Sequence, residues 1–95
     1  MYLAVVEVKP MSDYQLLLKF ENGEKRVFDV KPYLDKGIFK ELRDEKVFRS
    51  VRVSFDSIEW SNQADIDPED LYEYSVSYKP NFVEYQDPAS RGMTP

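Results

Sequence analysis

Residues 14–30 constrain the fold more than any other segment, because two apolar runs flank the turn-forming pair Asn22-Gly23. A two-residue Asn-Gly turn would place Phe20 opposite Lys25 and mix apolar with charged side chains on one face. A three-residue loop with Gly23 in the left-handed conformation pairs even-numbered positions with one another instead. In that register, one face of the hairpin is apolar and consists of Tyr14, Leu16, Leu18, Phe20, Phe28 and Val30. The sequence therefore predicts a bulged hairpin with its core on one side and a water-facing or partly covered surface on the other.

Two further regions alternate apolar and polar side chains, which is typical of strands. One precedes the hairpin at residues 2–9. The other places Val51, Val53 and Phe55 on one side, and a tight turn around Asp56-Ser57 leads from it into Ile58 and Trp60. We therefore predict an α+β fold with a mostly antiparallel sheet of about five strands.

Helical spacing occurs at two places outside the predicted strands. Two short helical turns are predicted around Leu42 and Phe48, the second with Asp44 as its N-cap. The stretch Asp67-Pro68-Glu69-Asp70 predicts the start of another helix, which packs on one face of the sheet. Asp67 can accept hydrogen bonds from free amides, and Pro68 suits the first helical position. Losing the Asp67 cap is expected to cost about 1 kcal/mol.

The absence of histidine and cysteine from the 95 residues limits the chemistry that this chain can perform. No side chain titrates near neutral pH unless its environment shifts it, and zinc sites lose both usual ligand types. The acidic run from Asp65 to Asp70 resembles a calcium loop but lacks the glycine at the sixth position. We expect no enzymatic activity, no metal site and no cofactor.

The amino-terminal segment lacks a basic leader, and Glu7 and Lys9 interrupt it before an apolar run of secretory length can form. No segment is long and apolar enough to span a membrane. We expect a cytoplasmic location and no membrane partner.

Charge is distributed unevenly along the sequence. Residues 1–23, 24–52 and 53–95 carry net charges of −1, +3 and −7, which together give the net charge of −5. Within the basic middle part, Lys36, Lys40 and Arg43 fall at helical spacing. This basic strip can bind a phosphate backbone or an acidic partner, or it can face the acidic part of its own chain or water.

Trp60 is the only tryptophan, and two interpretations of it stay open. Its alternation with Ile58 predicts a core ring. The polar run that follows predicts instead a shallow partner surface formed by Trp60, Asn62, Gln63 and Asp65. Burial of the ring distinguishes the two interpretations.

The end of the chain carries weak structural signals. We predict one domain over residues 1–75 and a C-terminal extension over residues 76–95 that is partly disordered or docked on a neighbouring chain. Phe82, Val83 and Tyr85 form an apolar group in this extension. They either fold back on their own sheet or contact another copy in a homo-oligomer.

Four blocks occur in an order that resembles the bacterial domain-of-unknown-function family 2442. They are an opening strand, the hairpin from Tyr14 to Val30, the stretch from Gly37 to Phe48, and W-S-N-Q-A-D-I-D-P-E-D-L-Y from Trp60 to Tyr72. The resemblance implies a small α+β fold of the type named for a nitrosomonad protein's N-terminal domain, without enzymatic activity. Family members often carry glycine where this chain has Gln63, which puts a tight turn after Trp60 in doubt.

Three functions from different classes follow from these observations. The first is a non-catalytic interaction or regulatory module that binds a protein partner or itself, for which the resemblance suggests a small regulatory or toxin–antitoxin-like operon. The second is nucleic-acid binding through the basic strip, although the acidic net charge opposes it. The third is a carboxylate-based hydrolase, which requires a deep pocket with two acidic groups.

Overall fold

The computed structural model describes residues 2–78. The strands of the first half are β1 (Val5–Met11), β2 (Gln15–Phe20) and β3 (Lys25–Asp29), with a 3-10 turn at Ser12–Tyr14. The 3-10 helices Lys31–Tyr33 and Gly37–Arg43 and helix α1 (Glu45–Phe48) follow. The second half contains β4 (Arg52–Ser54), β5 (Ser57–Glu59), β6 (Asp65–Ile66), α2 (Pro68–Glu73) and β7 (Val76–Ser77).

The strands form two sheets, and all five strand pairs are antiparallel. One sheet has the order β1-β2-β3-β7 and the other has the order β4-β5-β6. The predicted α+β class is therefore confirmed, whereas the strands divide between two sheets and include the two-residue strands β6 and β7. The sheets meet where the Val5 amide donates to the Asp56 carbonyl over 3.0 Å.

The bulged hairpin between β2 and β3 is confirmed. Leu16 pairs with Phe28 and Leu18 with Arg26, so even-numbered positions oppose one another. The Phe20 amide donates to the Glu24 carbonyl over 2.9 Å, and Gly23 has a φ of +90°. This loop places the predicted apolar side chains on the inner face, where all except Tyr14 are buried.

The core lies between the inner face of the first sheet, the second sheet and the helices. Its buried apolar residues are Val5, Leu16, Leu18, Phe20, Phe28, Val30, Leu42, Phe48, Ile58, Trp60, Ala64, Ile66 and Leu71. Trp60 is completely buried, and its Nε1 donates to the Phe48 carbonyl over 3.0 Å. The core interpretation of Trp60 is therefore correct.

The predicted helices form, but only one of the two predicted caps does. The Asp44 side chain accepts from the Lys46 amide over 2.9 Å and caps α1. Asp67 occupies the N-cap position of α2, yet its side chain accepts no capping hydrogen bond. Its carbonyl accepts from the Leu71 amide over 3.0 Å, so the backbone rather than the carboxylate begins the helix. The side-chain cap on which the predicted cost of about 1 kcal/mol depends is therefore not formed.

The carboxyl end of the described part continues into the first sheet. Strand β7 pairs with β3 through Val76 and Val27, just beyond the predicted domain limit at residue 75. Phe82, Val83 and Tyr85, which the sequence suggested as an oligomer contact, lie outside the described residues. Among residues 2–78, no helix has the length and apolarity needed to cross a membrane.

Candidate protein-interaction surface

The turn between β4 and β5 has an unusual backbone and an unusual occupant. Ser54 pairs with Ser57, so Phe55 and Asp56 form the two-residue turn. Phe55 has a φ of +55°, a conformation that glycine adopts freely and that is a true outlier for a bulky residue. Such strain costs on the order of 1 kcal/mol or more and is concentrated at functional sites.

The Phe55 side chain lies almost entirely in water. It is 99% exposed, whereas Phe20, Phe28 and Phe48 are at most 1% exposed. The ring therefore stabilises nothing within the described part of the chain. Tyr2, which is 44% exposed, lies next to the turn because its hydroxyl donates to Asp56 Oδ2 over 2.8 Å. This hydrogen bond raises the pKa of Tyr2 above its ordinary value.

One open hollow adjoins this turn, and a second open hollow shares Tyr2 with the first. One has a volume of about 310 Å³ and is lined by the turn, β5, β6 and the start of α2. The other has a volume of about 500 Å³ and is lined by Leu3 and the exposed side of α2. Among residues 2–78, no lysine or arginine lines either hollow. Their carboxylates are Asp56, Glu59, Asp65, Asp67, Glu69, Asp70 and Glu73. We call these seven carboxylates together with Phe55 the Phe55 surface.

The carboxylates of the Phe55 surface are largely unneutralised. Glu59 accepts from Arg52 Nη2 at 3.2 Å. The other six make no ion pair with any residue in the range 2–78. In the same range, no group of three or more acidic side chains is arranged to hold a metal ion. The surface can therefore attract a cationic partner, and it offers that partner one apolar contact.

The four residues of the predicted Trp60 surface do not form one accessible patch. Trp60 is in the core, and the half-buried Asn62 donates to Glu41 Oε1 over 2.8 Å. Gln63 and Asp65 are exposed, and Asp65 lines the smaller hollow of the Phe55 surface. Burial of the indole is the physical reason why Trp60 itself cannot contact a partner at this surface.

The tight turn after Trp60 forms without glycine. The Trp60 amide donates to the Ala64 carbonyl over 2.9 Å, and the Gln63 amide donates back to the Trp60 carbonyl over 2.8 Å. Gln63 has a φ of +73° and takes the same position as Gly23 in the hairpin loop. The tight turn that was in doubt therefore forms with Gln63 in place of glycine.

The basic strip has a different geometry from the one predicted. Residues Gly37–Arg43 wind as a 3-10 helix with three residues per turn, so Lys40 and Arg43 share a face. Lys36 lies at the N-cap, outside that helix. Arg43 pairs with Asp35 rather than with the acidic second half of the chain. A continuous strip of three free cations is therefore not present on this element.

Phe55 is the feature of this surface that the sequence interpretation missed. The alternation of Val51, Val53 and Phe55 assigned it to a strand, with the turn one residue later. The observed register pairs Val53 with Ile58 and leaves Phe55 within the turn. The sequence Ser54-Phe55-Asp56-Ser57 contains no glycine or asparagine that would locate the left-handed residue.

Comparison with known proteins identifies a family but no characterised relative. A sequence model for a protein of unknown function, DUF2442, matches residues 5–77. No curated protein and no solved structure matches the chain. The matched region includes both sheets, both helices and the turn that carries Phe55. The chain therefore belongs to the DUF2442 family.

Proposed function

We propose that this chain is a non-catalytic protein-interaction module that binds a basic partner through the Phe55 surface. The observation that carries the proposal is the conformation of Phe55, which is fully exposed and has a positive φ. A solvent-exposed aromatic ring contributes nothing to folding, and its backbone strain lowers stability. Aromatic residues are enriched among those that supply most of the binding energy in protein interfaces.

Electrostatics favour a basic partner. Six of the seven carboxylates of the Phe55 surface make no ion pair within residues 2–78. A basic protein would be attracted to this surface and oriented by it, and like-charged proteins would be repelled. A small acidic protein that binds a basic one fits the regulatory or toxin–antitoxin-like role that we propose for this family member.

The shape of the surface supports binding rather than catalysis. Both hollows are open to solvent, and their volumes of about 310 and 500 Å³ lie in the lower half of the range of about 300–1,000 Å³ that is usual for ligand pockets. Neither offers histidine or cysteine, because the chain has none. An acidic surface with two open hollows and one exposed ring is suited to a protein partner.

Affinity capture with a matched set of variants tests this proposal. The immobilised full chain should retain a basic protein from an extract of the native host, and the retention should fall at high salt. The Phe55→Ala variant should lose this protein. Ile38→Ala is the control, because Ile38 is 45% exposed and lies outside the Phe55 surface. The retained protein, once purified, should bind wild type and Ile38→Ala with similar affinity and Phe55→Ala more weakly. Equal retention by wild type and Phe55→Ala would refute the proposal.

A further inference from the structure

The outer face of the first sheet carries a basic hollow that no function considered so far uses. Its volume is about 260 Å³, and Lys9, Lys19 and Lys25 contribute to its walls from three adjacent strands. Leu17 lies among them, and Glu7 is the only carboxylate that the described part of the chain contributes to the lining. We call this site the lysine hollow and define it by Lys9, Leu17, Lys19 and Lys25.

The arrangement of the lysines lowers the stability of the free chain. Lys19 and Lys25 are direct partners in the β2–β3 pairing, and like charges opposite each other are destabilising. Glu7 is 4.0 Å from Lys19, and neither Lys9 nor Lys25 forms an ion pair with any residue described. An acidic partner would relieve this repulsion.

The lysine hollow also has an apolar floor. Leu17 pairs with Lys9 on one side and with Val27 on the other, and both apolar side chains are half-buried on this outer face. The volume is below the range of about 300–1,000 Å³ that is usual for small-molecule pockets. A single inserted side chain therefore suits the hollow better than a free metabolite does.

We propose that the occupant is the Phe55 surface of a second copy of this chain, an inference that rests on the proposed function. Phe55 of one copy packs on Leu17 of the next, while Asp56 and Asp65 approach the lysines. Two features of the free chain are explained together: an exposed ring flanked by carboxylates and an apolar floor flanked by ammonium groups. Because the contact joins two different surfaces, it is heterologous and extends head to tail into a ring or a filament.

Sedimentation velocity on purified full chains tests this arrangement. The wild-type mass should rise above 11.2 kDa with concentration and return to it at high salt. Phe55→Ala and the double variant Lys19→Glu/Lys25→Glu should each weaken association about tenfold or more. The double variant keeps a like-charged pair at positions 19 and 25 but loses the ion pair between Glu7 and Lys19, so circular dichroism must show that its fold matches that of wild type. Ile38→Ala should associate as wild type does.

Mixing the two defective variants provides the decisive result. Phe55→Ala retains an intact lysine hollow, and the lysine variant retains an intact Phe55 surface. An equimolar mixture should therefore form a complex of two chains at concentrations where each variant alone does not associate. A monomeric mixture, or a wild type that stays monomeric at millimolar concentration, would overturn this inference.

The outcomes also separate this inference from the proposed function. A monomeric wild type whose capture of a basic protein depends on Phe55 would reject self-association and leave the proposed function standing. Association that depends on Phe55, with capture of a basic host protein unaffected by Phe55→Ala, would support self-association and reject the binding of a different basic partner.

Discussion

Residues in the left-handed backbone region form the tight loops of this protein at different cost, singly at Gly23, Phe55 and Gln63 and as the consecutive pair Asp13 and Tyr14. Gly23 adopts a φ of +90° without steric penalty because it has no Cβ atom. Gln63 and Phe55 adopt φ values of +73° and +55° and incur about 1–2 kcal/mol each. The loop after Trp60 shows that hydrogen bonds and core packing can impose the conformation on a residue that resists it.

We predict that Gln63→Gly raises the free energy of unfolding by about 1 kcal/mol because it removes this strain. Gln63→Ala is the matched control and should bring no such gain, since alanine keeps the Cβ atom. Gly23→Ala should cost about 1 kcal/mol through the same backbone strain. A steric clash would not contribute, since no atom lies within 4 Å of the added Cβ. Urea unfolding measures all three; a destabilised Gln63→Gly variant would contradict the strain argument.

Substitutions at Phe55 should distinguish the effect of this residue on stability from its effect on partner binding. Phe55→Gly should increase the free energy of unfolding by about 1 kcal/mol, because strain is relieved and no packing is lost from a ring that is 99% exposed. Phe55→Ala should change it by less than about 0.5 kcal/mol. Neither Phe55→Gly nor Phe55→Ala should bind the basic partner. Thermal unfolding and affinity capture on the same preparations test this; a clear loss of stability in Phe55→Ala would mean that the ring has a structural role.

At the level of elements, the hairpin is attached to α2 by one polar network. Arg26 lies on the inner face of β3, with its guanidinium 4.3 Å from the centre of the Tyr72 ring. Its Nε donates to Ser75 Oγ over 2.7 Å, and its Nη2 donates to the Ser75 carbonyl over 2.8 Å. The Tyr72 hydroxyl donates to Glu24 Oε1 over 2.6 Å. These contacts satisfy the hydrogen-bonding groups of the Arg26 guanidinium, although the alternation of β3 assigns position 26 to the core face.

This network predicts a pH dependence of stability. The hydrogen bond from Tyr72, followed by that from Asn22, lowers the pKa of Glu24. Its stabilising effect is therefore complete above the unfolded-state pKa of about 4.3 and is lost as the pH falls through the lower pKa of the folded state. Glu24→Gln keeps an acceptor for Tyr72 but does not titrate. The stability difference between wild type and variant should shrink on acidification, as measured by urea unfolding at a series of pH values. A difference that is constant between pH 7 and pH 3 would contradict the assignment.

The two helix caps form a second comparison between elements. Asp44→Ala removes the hydrogen bond to the Lys46 amide and should lower the free energy of unfolding by about 1 kcal/mol. Asp67→Ala removes no capping bond and should cost less. Denaturant unfolding of both variants gives the comparison. Equal losses would show that the carboxylate of Asp67 stabilises α2 by its charge alone.

For the whole molecule, Trp60 connects elements that are distant in sequence. Its ring contacts Phe39 edge to face at 6.2 Å between centroids, and its Nε1 donates to the carbonyl of Phe48 at the end of α1. Trp60→Phe leaves that carbonyl without its donor in the core and should cost about 1–3 kcal/mol. Calorimetry would measure the loss. A variant as stable as wild type would show that the indole hydrogen bond contributes little to the fold.

The charges of the molecule are also arranged on the scale of the whole fold. The Phe55 surface is acidic and the lysine hollow is basic, and both are assembled from segments that the chain brings together only on folding. The net charges of sequence segments anticipated a basic middle part and an acidic second half. In the structure, the basic hollow belongs to the hairpin sheet, whereas Arg43 in the middle segment is paired locally.

Local patterns in the sequence were sufficient for the hairpin register, the Asp44 cap and the start of α2. In each case the deciding interactions join residues close in the chain, such as Gly23 with Phe20 or Asp44 with Lys46. The exposure of Phe55, the inward position of Arg26 and the burial of Trp60 depend on contacts between distant residues. A one-residue shift of the turn between β4 and β5 reverses which of its side chains face the core, and packing of the two sheets selects the observed register of that strand pair. The fold class could therefore be derived from the sequence, whereas the candidate interaction surface required the tertiary structure.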